Sequence, residues 1–189
     1  MNERTPFTRL SREVLVQNEW HRYCRDRYVQ TDGSEGTYFY VDMAGSCAAI
    51  PLFADGTTML VRVHRYLFER ELWEFPIGGM QPGEDPLAVA QKELHEEAGL
   101  RARDWTPLGR FAAYKGVSNE VCHFFLARDL EVVEQELEPS ERITAHRVPL
   151  AEARALLLDQ SLGDRSLGDG QSMAGLLLLD RWLVGAAKA

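Results

Sequence analysis

The pattern of apolar and polar residues predicts strands from residue 36 onward. A β-rich run, 37–41, precedes a mostly apolar run, 46–53, and a further run, 57–63. Asp55-Gly56 is a turn signal, so we predict that the last two runs form a hairpin. Residues 1–35 are polar with an irregular pattern, and we assign no element to them.

The middle of the chain predicts a helix with clear boundaries. A short aromatic strand, 72–75, is followed by a glycine-rich loop, 77–83. Asp85 can cap the helix, Pro86 suits its first turn, and Gly99 suits its end.

The remaining pattern predicts strands followed by helices at the end, with an acidic loop at 131–141 before the last strand. The predicted strands are 108–113, 121–127 and 143–148, and the predicted helices are 150–158 and 172–184. Strands with few helices in this order favour an α+β domain over a parallel doubly wound sheet.

Composition narrows the class of protein. The 189 residues, 45% apolar and 26% charged, suit a soluble globular protein with a full core. No apolar run approaches the roughly 20 residues that span a bilayer, and no secretory signal is visible, so we expect a cytoplasmic protein with no membrane partner. Three widely separated cysteines indicate buried thiols rather than disulfides or a zinc site.

The charge of the chain excludes one class of partner. A net charge of −8 argues against binding a nucleic acid polymer. A small anionic substrate fits only if a metal ion supplies local positive charge.

The predicted central helix carries an acidic face. Glu93 and Glu97 are four residues apart, and Glu96 lies beside them. Like charges at this spacing destabilise a helix by roughly 0.2–0.5 kcal/mol per pair, which favours a bound divalent cation. Oxygen ligands without histidine or thiolate clusters favour Mg²⁺ or Mn²⁺ over zinc. The alternative is a solvated acidic face. The opposite side of the helix is apolar and should face the core, through Leu87, Ala90, Leu94 and Ala98.

The spacing of this segment identifies a motif. Gly78 is followed by Glu84 and then by Lys92-Glu93-Leu94-His95-Glu96-Glu97-Ala98-Gly99-Leu100. It resembles the Nudix box: glycine, five residues, glutamate, seven residues, then Arg-Glu-aliphatic-any-Glu-Glu-any-Gly-aliphatic. One defined position differs, where Lys92 keeps the charge of the arginine but loses its planar fork.

The resemblance extends over about residues 15–185, to the ADP-ribose and nucleoside diphosphate sugar pyrophosphatases of the Nudix superfamily. One departure stands at Tyr114-Lys115-Gly116, where that subfamily usually has a proline. The segments that carry the wider resemblance are Arg62-Val63-His64-Arg65-Tyr66, Leu72-Trp73-Glu74-Phe75-Pro76, Gly116-Val117-Ser118-Asn119-Glu120 and Asp169-Gly170-Gln171.

The resemblance implies a fold and an assembly. It implies a Nudix fold, in which a mixed β-sheet core lies between helices as α/β/α layers. Residues 1–43 would form a β-rich dimerisation segment and residues 44–189 the hydrolase domain. The expected assembly is a homodimer.

The resemblance also implies an activity. It implies Mg²⁺-dependent hydrolysis, with Mn²⁺ as a substitute, of a nucleoside diphosphate sugar such as ADP-ribose or GDP-mannose. The alternatives are a Nudix hydrolase of another dinucleotide or diphosphate and a non-catalytic nucleotide-sugar sensor. A sensor should have lost the box glutamates, which this chain keeps.

Roles for individual residues follow from the same resemblance. Metal ligands would be Glu93, Glu96, Glu97 and the backbone carbonyl of Ile77. Substrate contacts would come from Arg65, Glu74, Trp20 and Glu120, although Arg65 could form a surface ion pair and Trp20 could serve core or dimer packing. Catalysis would rest on Glu93, Glu97 and a general base from the acidic loop. There we favour Glu141 over Glu138.

Overall fold

The computed structural model describes residues 6–139, 141–162 and 167–186. The ends of the two predicted domains, 1–5 and 187–189, lie outside the described residues. The strands are β1 (Thr8–Gln17), β2 (His21–Val29), β3 (Glu35–Met43), β4 (Ser46–Pro51), β5 (Thr57–Arg65), β6 (Arg70–Glu74), β7 (Ile77–Gly79), β8 (Leu100–Ala112), β9 (Val121–Val132) and β10 (Ile143–Pro149). The helices are α1 (Pro86–Ala98), α2 (Leu150–Asp159) and α3 (Gly170–Ala186).

The described strands form three sheets. The N-terminal sheet has the order β1-β2-β3, a second sheet the order β10-β5-β6, and a third the order β7-β4-β9-β8. In the third sheet β4 pairs with β9 in parallel and with β7 antiparallel. The mixed sheet and the α+β class are as predicted.

Two apolar clusters lie on opposite sides of β4. Cys47 and Ala49 pack in the cluster that contains the buried face of α1, whereas Ala48 and Ile50 pack in the cluster that contains α2 and α3. Alternate residues of a strand point to opposite faces, so one buried strand serves both clusters. This arrangement is the expected α/β/α layering.

The predicted hairpin of 46–53 with 57–63 is wrong, although its turn is present. The N–H of Phe53 donates to the carbonyl of Thr57 at 2.9 Å, and a single bridge joins Leu52 to Thr58. Beyond that turn β4 and β5 belong to different sheets. All six residues of β4 are buried, and a strand covered on both faces pairs best in the interior of a sheet.

Residues 8–29, left without an element, form β1 and β2 of the N-terminal sheet. Every residue of β1 is exposed, so the chain has no one-sided apolar alternation there to reveal a strand. The side chain of Asn18 closes the turn by accepting the N–H groups of Trp20 and His21 at 2.9 and 2.8 Å. A second correction concerns β8, which begins at Leu100 instead of residue 108.

The thiols are buried and free, as predicted, at Cys24, Cys47 and Cys122.

Among the described residues, no helix has the length and apolar content needed to cross a bilayer.

Candidate active site

The boundaries of α1 are those that the sequence predicts. The Asp85 carboxylate accepts the N–H of Ala88 at 3.0 Å, and Pro86 occupies the first turn. Gly99 ends the helix in the left-handed region, at φ 60°. On the buried side Ala90, Leu94 and Ala98 enter the core as expected; Val89 is buried there too, while Leu87 is only half-buried.

A cavity of about 300 Å³ opens between α1, β5, β7 and the loop before β10. Carboxylates outnumber the positively charged groups of Arg65, Lys92 and Arg142 on its described walls. The carboxylates are those of Glu93, Glu96, Glu97, Glu138 and Glu141. Helix and loop therefore bring the predicted glutamates to one place, where the excess of negative charge favours a cation.

Two of these glutamates are buried in surroundings that disfavour the charged form of their carboxyl groups. Glu93 and Glu97 are 8% and 5% exposed. Burial raises the pKa of Glu93 to about 7 and, with repulsion from Glu93, raises the pKa of Glu97 to about 8. A divalent cation that takes the place of their protons would stabilise the ionised form of these carboxyl groups.

Oxygen donors of the kind that Mg²⁺ prefers line the same cavity as this pair. The Glu97 carboxylate accepts the N–H of Ile77 at 2.9 Å, so the predicted backbone ligand lies beside α1. As the side chains stand, no three Asp, Glu, His or Cys side chains within the described ranges converge into a metal cage. The donor set nevertheless fits a hard cation, because all its atoms are oxygens.

Lys92 contacts two of the glutamates. Its Nζ lies 2.8 Å from the Glu96 carboxylate and 3.7 Å from that of Glu93. The hydrogen bond with Glu96 raises the pKa of Lys92. The lysine thus neutralises charge on the acidic face. Its ammonium group acts as a point charge and lacks the planar fork of donors that an arginine would supply.

Arg65 and Glu74 form a bidentate pair at the wall of the cavity. The Nε of Arg65 donates to Glu74 at 2.7 Å, and its Nη2 donates to the other carboxylate oxygen. The Glu74 side chain is 2% exposed and lies behind Arg65, whose side chain is 42% exposed and lines the cavity. This hydrogen bond raises the pKa of Arg65, so the guanidinium stays charged toward the cavity.

The predicted acidic loop, of which residues 133–139, 141 and 142 are described between β9 and β10, contributes Glu138 and Glu141 to the cavity. The N–H of Glu138 donates to the Glu141 carboxylate, and the N–H of Glu141 donates to the Glu138 carbonyl, both at 2.9 Å. Each carboxylate predicted as a general base therefore lies opposite the glutamates of α1.

The other two predicted substrate residues lie in different places. Trp20, in the turn between β1 and β2, is half-exposed and lines the cavity. Glu120 is buried and does not line it. Its carboxylate accepts hydrogen bonds from Ser46 at 2.7 Å and from Gln171 at 3.0 Å.

Among the cavity residues with polar or charged side chains, sequence reasoning missed His64 and Arg142 as site residues. Each directly adjoins a residue that was predicted, Arg65 or Glu141, and His64 also lies in a segment that carries the wider resemblance.

Comparisons with known proteins give a family and two relatives for this chain. A family model described as NUDIX domain matches residues 43–167. ADP-ribose pyrophosphatase of Bacillus subtilis (strain 168) is 32% identical over 122 residues, which cover 64% of this chain and 66% of that protein. ADP-ribose pyrophosphatase of Mycobacterium tuberculosis (strain ATCC 25618 / H37Rv) is 32% identical over 155 residues, which cover 80% of this chain and 75% of that protein.

A solved structure described as an ADP compounds hydrolase superposes on the fold. Its TM-score is 0.79 with 22% sequence identity, and the match covers 100% of both chains. At this identity the likeness establishes the fold.

Proposed function

Because the chain belongs to the NUDIX domain family, we propose that it is a Mg²⁺-dependent pyrophosphohydrolase of nucleoside diphosphate sugars. The observation that carries this proposal is the shared cavity, in which glutamates of α1 and of the acidic loop face each other beside Arg65. The names of the two ADP-ribose pyrophosphatases favour ADP-ribose within this substrate class. GDP-mannose is the second substrate to test.

The reaction is hydrolysis of a phosphoanhydride. The oxygen of water forms a bond to one phosphorus, and the bond from that phosphorus to the bridging oxygen breaks. The bridging oxygen leaves with the other phosphate, so the products are a nucleoside monophosphate and a sugar phosphate. One proton of the attacking water must be removed as the new bond forms.

Glu93, Glu96, Glu97 and the carbonyl of Ile77 are the groups that would hold Mg²⁺. The bound metal would polarise the pyrophosphate oxygens and lower the pKa of water. The raised pKa values of Glu93 and Glu97, about 7 and 8, support this role because a bound cation would offset the cost of burying their charged forms and the repulsion from neighbouring carboxylates. Lys92 bridges Glu96 and Glu93 and holds both carboxylates toward the cavity.

Arg65 binds the substrate's phosphate oxygens in this scheme. Its Nε and Nη2 are engaged by Glu74, which fixes the plane of the guanidinium and leaves further N–H donors at the cavity wall. Glu74 acts through Arg65, since it is buried behind it. Trp20 offers an aromatic face to the base at the rim of the same cavity.

Glu141 is the general base of the proposal. It reaches the cavity from a loop outside the Nudix box, so it can accept a proton from water without serving as a metal ligand. In this scheme Glu120 has a positioning role and does not contact the substrate directly, because Ser46 and Gln171 hold its buried carboxylate.

A substrate panel tests the proposal. Purified protein with millimolar Mg²⁺ is given ADP-ribose, GDP-mannose, other nucleoside diphosphate sugars and nucleoside triphosphates, and products are separated by chromatography. We expect a nucleoside monophosphate and a sugar phosphate from at least one diphosphate sugar. A clear preference for triphosphates, or full turnover in excess chelator, contradicts the proposal.

A further inference from the structure

The C-terminal end of α1 is capped by the beginning of the acidic loop. The last carbonyl groups of a helix have no partner within the helix. Here the N–H of Val133 donates to the Gly99 carbonyl at 2.9 Å, and the N–H of Glu136 donates to the Glu96 carbonyl at 3.3 Å. The Nε2 of Gln135 donates to the carbonyl of Glu97. The loop therefore begins as part of the helix cap.

The contact between helix end and loop is tightly packed. A Cβ at Gly99 would lie 2.9 Å from the Val133 carbonyl oxygen and 3.2 Å from the Cγ of Gln135. Leu137 then packs against the apolar cluster that contains Leu94 of α1. The start of the loop has little freedom to move relative to the helix, because both hydrogen bonds and packing hold it.

Gln135 has a special place in this cap. The hydrogen bonds of Val133 and Glu136 come from the backbone, which any residue supplies, whereas the bond to Glu97 depends on the Gln135 side chain. The carbonyl that Gln135 holds belongs to the residue whose carboxylate lines the cavity. Glu138 and Glu141 follow shortly after Gln135 on the same loop.

We propose that Gln135 is a positioning residue, which sets the distance between the loop carboxylates and the glutamates of α1 through its bond to the Glu97 carbonyl. This inference rests on the proposed function, in which Glu141 acts on water held near Glu93 and Glu97. A proton acceptor that is misplaced by about 1 Å can lose roughly 10²-fold of its effect on the rate. Gln135 itself does not line the cavity, so it acts through the residues that it holds.

The test uses Gln135→Ala and Gln135→Glu in the full chain. Glutamate keeps the shape of glutamine but has no N–H to donate to the carbonyl. We expect both variants to lower kcat about tenfold with little change in KM. Ser161→Ala is the matched control, because Ser161 also donates a side-chain hydrogen bond, 2.9 Å long, to a carbonyl at the end of a helix, that of Leu157 in α2. Ser161→Ala should leave kcat unchanged, although its melting temperature should shift by an amount comparable with that of the Gln135 variants.

A double-mutant cycle separates positioning from a merely structural role. In the Glu141→Gln background, Gln135→Ala should have little further effect on kcat, because the group that it positions is already gone. An equal fold-loss in both backgrounds, or no loss in either, overturns the proposal.

The failure of the proposed base gives a different result. If Glu141→Gln alone keeps normal kcat, the assignment of Glu141 is wrong, and the cycle is repeated with Glu138→Gln. Positioning is supported if the effect of Gln135→Ala disappears in that background. It is overturned if neither loop carboxylate matters for kcat.

Discussion

The carboxyl group of Glu93 lies in the space that a side chain at Gly78 would fill. A Cβ built on Gly78 would overlap the Glu93 carboxyl carbon, although the backbone of Gly78 is not in the left-handed region. The first glycine of the box is therefore needed to leave space for the Glu93 carboxyl group. It lets a strand pass directly under a carboxylate of α1.

Gly78→Ala should displace Glu93 and weaken Mg²⁺ binding. The expected loss of metal affinity is about 10- to 100-fold, the range seen when a group that supports a metal ligand is removed. Gly79→Ala is the matched control, since a Cβ there meets nothing within 4 Å. Titration calorimetry with Mg²⁺ measures both variants, and equal affinities for them would contradict the steric argument.

Glu97→Gln should lower turnover by more than about 10²-fold, because it removes a proposed metal ligand rather than a supporting group. Added Mg²⁺ should recover part of the loss. Steady-state rates over a range of Mg²⁺ concentrations test this, and a variant with the metal dependence of the parent protein would exclude Glu97 as a ligand.

Glu141→Gln should lower kcat by roughly 10²–10⁴-fold, the contribution typical of a general base. Metal and substrate affinities should change little, and added Mg²⁺ should not rescue the rate. Glu138→Gln, in the same turn, is the control and should be mild. The opposite ranking of the two variants would assign the base to Glu138.

The metal-free protein should lose stability as the pH rises. Folding raises the pKa of Glu93 from its ordinary 4.5 to about 7 and that of Glu97 to about 8. The folded state then holds protons that the unfolded state has released, so this contribution is complete below pH 4.5 and is lost as the pH passes the two folded values. Urea unfolding in chelator between pH 5 and 9 measures the slope.

The control for this pH dependence is the double variant Glu93→Gln/Glu97→Gln. It cannot ionise at either position, so its stability should vary less over the same range. A parent protein that becomes more stable between pH 5 and 9 in chelator would contradict the mechanism, unless the double variant shows the same rise from other groups.

The protein should form a homodimer through the N-terminal sheet, within residues 1–43. Val16, Tyr23 and Phe39 share one face of that sheet and are 67%, 42% and 47% exposed. Stable interfaces bury about 800 Å² per partner, and apolar residues of this kind supply their core. Light scattering at micromolar concentration should give twice the chain mass. Phe39→Glu should give the monomer, and Val132→Glu, an exposed site on β9, should not.

The sequence determined the chemistry of α1 by itself. Its caps, Asp85 and Gly99, and the spacing of Glu93, Glu96 and Glu97 depend on local geometry, because a helix places residues three and four apart on one face whatever surrounds it. The proposed preference for Mg²⁺ also rests on the kind of donor atom, which can be read from the sequence. The box motif then predicted the fold, which the family match and the structural likeness support.

Only the tertiary structure decided which strands pair and which carboxylates meet. The separation of β4 from β5 into different sheets follows from burial on both faces of β4, and burial is a property of the whole fold. Glu120 resembled a site residue by its motif, yet Ser46 and Gln171, 74 and 51 residues away, hold it in another network. The bond from Gln135 to Glu97, across 38 residues, had no local signal, because contacts between residues far apart in the sequence depend on how the elements pack together.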